Sequence, residues 1–155
     1  MDQYFTPHVK RGAIYFGIIV AVLGVIGAIP LLNCLALPLL CVAGFAVPIG
    51  IGWLVAQWGG ATDMAKGAID GAIACGLGGL VGGVVSFLAS LCFNAVFFAI
   101  GMSSNASDMV GAIVAGIIGG LSSWIFGAIF AAIFGAVGGL LYVAIQGNKS
   151  AMKPA

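Results

Sequence analysis

Apolar residues dominate four stretches of this chain, roughly 12–32, 38–58, 67–101 and 109–146, with short polar breaks between them. A helix needs about 20 residues to cross ~30 Å of hydrocarbon, so each stretch is long enough to span a bilayer. The pattern predicts an all-α integral membrane protein: one domain, 1–155, folded as a bundle of four transmembrane helices.

The breaks carry their own signals. Pro30, Asn33 and Pro38 lie between the first two spans and predict a tight helical hairpin. There Pro30 closes the first helix and Pro38 enters the first turn of the second, where its missing N–H costs nothing. Residues 59–63 end the second span; Thr62 is the expected N-cap of the third, with Asp63 near the positive end of the helix dipole. The stretch 102–108 forms the next turn, with Ser107 as the expected cap of the fourth span.

The last two spans are over-long, about 50–57 Å at 1.5 Å per residue. Two long tilted helices are the preferred reading; the alternative is a re-entrant part within 89–122, which lipid tolerates only when protein buries it. Trp124 is expected at the outer interface.

Small residues recur at every fourth position in both long spans. One run is Gly67, Gly71, Cys75, Gly79 and Gly83; the other is Gly111, Ala115, Gly119, Ser123, Gly127, Ala131, Gly135 and Gly139. In water, glycine weakens a helix by about 1 kcal/mol relative to alanine. In lipid it lets backbones approach closely, which favours small-xxx-small packing. Gly67, Gly71, Gly79, Gly83, Gly111, Gly119, Gly127, Gly135 and Gly139 are therefore the expected helix-packing positions. Four residues advance about 400° around a helix, so the stripe winds by ~40° per step. A stripe as long as Gly111 to Gly139 thus needs more than one partner. Phe126, Phe130 and Phe134 form a second ridge, expected to border that groove.

Composition supports the membrane reading. The 155 residues are 63% hydrophobic and only 6% charged, against about 25% in a soluble domain. A net charge of +1 and the lack of any basic run argue against a nucleic-acid surface. Lys10, Arg11, Lys66, Lys149 and Lys153 all fall in the two tails or the second connection, which four spans place on one side. By the positive-inside rule both termini are expected in the cytoplasm, with Tyr15, Trp58 and Tyr142 as an aromatic belt. The expected location is the cell (plasma) membrane, as a multi-pass protein. Lys10 and Arg11 before an apolar stretch resemble a signal peptide, but the stretch is too long and no small-x-small cleavage site follows it.

Candidate chemistry is sparse. Asp70 is a candidate ion or proton site, although a position near a helix start, four residues after Lys66, favours an interfacial acid. Pro48, with Gly50 and Gly52, offers a hinge in the second span, with a packed structural kink preferred. Cys34, Cys41 and Cys92 could meet near the outer face as a disulfide, but buried free thiols are preferred. Cys75 and the lone His8 add no metal-ligand spacing. Asn105 and Asn148 begin glycosylation-type triplets, only the first facing outward. No nucleophile with a base, no carboxylate pair and no phosphate loop is present, so no enzyme activity and no cofactor are expected. The leading expectation is a non-catalytic structural, assembly or accessory role, in lipid, with other membrane subunits or copies of itself. The alternative is a small channel, pore-former or transporter, with Ser86, Ser90, Asn94, Ser122 and Ser123 as its polar lining.

Overall fold

A computed structural model describes the backbone of residues 6–99 and 106–151, and the side chains of 6–29, 38–93, 110, 111 and 113–146. Four helices account for nearly all of it: α1 (Pro7–Ala28), α2 (Pro30–Trp58), α3 (Met64–Ala99) and α4 (Ala106–Ala151). Each contains a stretch long and apolar enough to cross a membrane, namely Pro7–Ala28, Pro38–Trp58, Met64–Phe93 and Ile113–Gln146. The protein is all-helical, with four candidate spans. Both α3 and α4 run as single helices through their described residues.

The first turn differs from the expected hairpin. Only Ile29 leaves the helical region, at φ −87° and ψ 112°, and Pro30 opens α2 instead of closing α1. A proline disfavours helical geometry in the residue before it and suits the first helical position, so the break falls one residue upstream. Pro38 then lies inside α2.

The second turn is a complete Schellman motif. Gly60 takes φ +56°, the left-handed conformation that a side chain would resist. Its N–H donates to the Gln57 carbonyl and the Ala61 N–H to the Ala56 carbonyl, at 3.2 and 3.0 Å. The cap of α3 is Asp63, not Thr62: its Oδ1 accepts from the Ala65 N–H at 3.4 Å. The Ser107 side chain, and both triplet asparagines' side chains, lie outside the described residues.

Glycines set how the helices meet. α1 runs parallel to α3, with Gly17 against Gly78 and Gly24 against Ser86. α3 and α4 are antiparallel, and the pairs Gly67/Gly139, Gly71/Gly135, Gly79/Ala128, Gly83/Trp124 and Phe87/Gly120 hold one register along them. A side-chain carbon on Gly67 would stand 2.9 Å from the Gly139 carbonyl oxygen. α2 reaches α4 through Gly52/Gly135 and α3 through Pro48 and Cys75. Among the described residues the backbones of α1 and α4 stay apart, although Phe16 and Ala131 share one buried cluster. The bundle is two triangles of helices sharing the α2–α3 edge.

The small-residue stripe of α4 divides along its length. Gly139, Gly135 and Ala131 face the interior, after which the interior positions become Ala128, Trp124 and Gly120. A helix of 3.6 residues per turn cannot keep a four-residue stripe on one side. Gly127, Gly119 and Gly111 therefore face open space, where an added side-chain carbon would meet nothing within 4 Å.

Burial is concentrated at the end holding the N-terminus of α1. Val9, Phe16, Ile51, Val55, Ala74, Cys75 and Ala131 form one cluster there, and Ala56, Ala61, Tyr142 and Val143 another. Trp53 closes the second cluster edge-on against Tyr142, 5.5 Å between ring centres. Lys10, Arg11 and Lys66 lie at this end, as does Tyr15, whose ring is 6.1 Å from that of Trp58.

Candidate functional site at the two ends of the bundle

At the basic end, α1 and α3 bring together residues 62 apart in sequence. Asp70 is 5% exposed, the one buried charged residue among those described. Its partner is His8, whose Nε2 lies 3.3 Å from Asp70 Oδ2 and 2.9 Å from the Thr6 hydroxyl. The ring nitrogen lies within hydrogen-bond distance of both oxygens, and the tautomer sets which of them it donates to or accepts from. Lys66, the partner expected from helical spacing, is exposed and makes no ion pair with Asp70.

Local structure explains the pair. Thr6 is the N-cap residue of α1, yet its hydroxyl makes no capping bond and turns to the imidazole. The imidazole itself lies on the Gly59 backbone, where a side-chain carbon would be 2.7 Å from Nε2. The αL turn at Gly60 brings that bare backbone up to His8 and then feeds α3, and with it Asp70. Nothing in the residues around His8 along the chain marks it as part of a cluster. The available signal is topological, because four spans put the start of the first helix beside the start of the third.

The opposite half of the bundle encloses a cleft of about 640 Å³ lined by all four helices. Phe16, Pro48 and Ala131 belong to both its lining and the packed region, and so mark its floor. Pro48 is fully buried within a continuous α2, and its carbonyl accepts a hydrogen bond from the Cys75 thiol at 3.4 Å. Phe134 and Phe130 border the cleft, Phe134 meeting Phe45 edge-on at 5.1 Å; Phe126 is exposed.

Most polar side chains of this half are engaged, while the Ser123 hydroxyl on the cleft lining makes no hydrogen bond among the described residues. The Ser86 hydroxyl shares its one proton between the carbonyls of Gly82 and Val20, at 3.0 and 3.2 Å. Ser122 donates to the Ile118 carbonyl at 2.8 Å and the Trp124 indole to the Leu80 carbonyl at 2.9 Å. Trp124, expected at an interface, thus packs onto the backbone of α3 at Gly83. Ser90 also has a partner, and the Asn94 side chain lies outside the described residues. No buried side-chain nitrogen or oxygen is unsatisfied among the described residues.

Cys41, Cys75 and Cys92 are free thiols, but only Cys75 is buried; the Cys34 side chain is outside the described set. The preference for burial therefore fails at Cys41, which lines the cleft, and at Cys92, both of which are exposed. Among the described residues no three His, Cys, Asp or Glu side chains come together as metal ligands. No protein-family model matches the chain, and neither the curated proteins nor the solved structures yield a match to it.

Proposed function

We propose that this protein is a non-catalytic membrane subunit that docks through α4 to a helix of another copy or of a larger complex. The observation that carries this reading is the outer stripe Gly111, Ala115 and Gly119. All three residues are exposed, and a side-chain carbon on either glycine would meet nothing within 4 Å. Glycine in an exposed helix is a cost of about 1 kcal/mol that a close backbone contact offsets. The same small-xxx-small geometry would also hold the bundle itself together in lipid, where α3 meets α4. Large apolar side chains flank the stripe, with Val110 and Ile118 exposed by 61% and 62%.

Replacing Gly119 by isoleucine should leave the isolated bundle intact and abolish association. Cysteine crosslinking from Ala115 in native membranes, followed by size measurement in mild detergent, reads this directly. An unchanged pattern of crosslinked species would refute the docking role. The channel alternative finds less support, because a conducting path needs a series of free polar groups. Ser86 and Trp124 are bonded to helix carbonyls and Ser90 also has a partner, which leaves the Ser123 hydroxyl on the cleft lining.

The basic end, carrying Lys10, Arg11 and Lys66, is read as cytoplasmic and the protein as a resident of the cell membrane. A tag at Ser104 should then label on intact cells, while tags on either tail should label only after permeabilisation. Labelling of both tails from outside would reverse the orientation.

A further inference from the structure

We infer that the interhelical cleft is a binding site for one acyl chain of a membrane phospholipid. Every residue lining it belongs to one of the four candidate spans, so the surroundings at that depth are hydrocarbon. Three kinds of occupant can be weighed by size and polarity.

A helix cannot be fully buried in the cleft. The cleft follows α3 from Gly79 to Leu91, ~18 Å at 1.5 Å per residue, so its 640 Å³ corresponds to a mean cross-section of ~36 Å². A helix with its side chains is at least ~10 Å across and needs ~80 Å². Water is a poor occupant as well. An ordered water needs about 2–4 polar partners. Ser86 and Trp124 are engaged with backbone carbonyls and Ser90 has a partner, so the lining offers one uncommitted hydroxyl, that of Ser123. A flexible hydrocarbon chain meets both conditions. At ~30 Å³ per water-sized group the volume holds about twenty such groups, comparable to the methylenes of a long acyl chain. The walls suit it: Ile19, Val20, Leu23 and Leu40 from the short helices face Phe87 and Phe130 from the long ones.

Three lining glycines allow the cleft to be filled without disturbing the packed end. A side-chain carbon on Gly44, Gly116 or Gly127 would meet nothing within 4 Å. Leucine at these sites projects into unoccupied space and is a better helix former than glycine. Gly50 is equally open but lies outside the lining, and provides the control.

Trp124 borders the cleft, whereas Trp53 and Trp58 sit at the basic end; Trp53→Phe and Trp58→Phe leave Trp124 as the sole indole. That protein is reconstituted into phosphatidylcholine vesicles with and without bromine on the acyl chains. Phospholipid retained after transfer to mild detergent is counted by mass spectrometry of the intact protein. Brominated chains should quench Trp124, and about one phospholipid should be retained per bundle. The Gly44→Leu/Gly127→Leu protein should show roughly tenfold lower retention and weaker quenching, the Gly116→Leu protein the same direction, and Gly50→Leu no change. Equal quenching and retention in the filled and unfilled proteins would overturn the site, as would a wild type that retains none. Failure of the double variant to fold leaves the single Gly116→Leu protein to decide.

Discussion

Gly135→Ala is expected to destabilise the purified protein in mild detergent by about 2–4 kcal/mol, while Gly50→Ala should stabilise it by about 0.5–1 kcal/mol. Gly135 is where three helices converge. A side-chain carbon there would lie 2.5 Å from the Gly71 carbonyl oxygen and 2.7 Å from both Cβ and Sγ of Cys75, and Gly52 of α2 abuts the same residue. The Gly71 oxygen is main-chain and cannot rotate aside. The helices must separate, and van der Waals contact is what holds membrane helices together once burial from water contributes nothing between them. At Gly50 the new methyl group enters open space, leaving only the gain in helix propensity. Unfolding by a graded increase of denaturing detergent measures both. Shifts of the same sign would show that the bundle is not held by the α2–α3–α4 contact.

His8→Ala should destabilise the protein by about 1–3 kcal/mol, because it leaves the Asp70 carboxylate buried without its hydrogen-bond partner. Asp70→Ala removes the group that needs the partner and should cost less. The double variant should resemble Asp70→Ala alone, so that the two changes are not additive. Additive costs would mean that the 3.3 Å contact contributes nothing specific to folding. The same unfolding measurement serves, with the Thr6→Val variant reporting the smaller share of the second oxygen.

How much of this is legible in the sequence depends on the distance over which each feature is encoded. The four apolar stretches are visible because solvent in a bilayer imposes length and polarity on each helix separately. The turn at Ile29 is blurred because Pro30 can end one helix or begin the next, and both flanks are apolar. Asp63 displaces Thr62 as cap by one residue, within the usual uncertainty of a helix end. The glycine stripe of α4 names the right residues at Gly135 and Gly139, but Gly111 and Gly119 point away from the bundle and Gly127 opens onto the cleft. A period of four drifts from a turn of 3.6, and only the packed partner shows where the contact slips. His8 and Asp70 meet through tertiary structure alone. The cleft belongs to no sequence pattern, since it is the space left where four helices diverge above Pro48.

The two buried clusters draw on both extremes of the described chain: Val9 in α1, and Tyr142 and Val143 near the far end of α4. During synthesis the early helices would therefore wait, half-assembled in the translocation machinery or the lipid beside it, until residue 143 had been inserted. For that interval the exposed glycine backbones of α3 would be open to foreign helices, and the timing of chain release becomes part of what decides which neighbour they take.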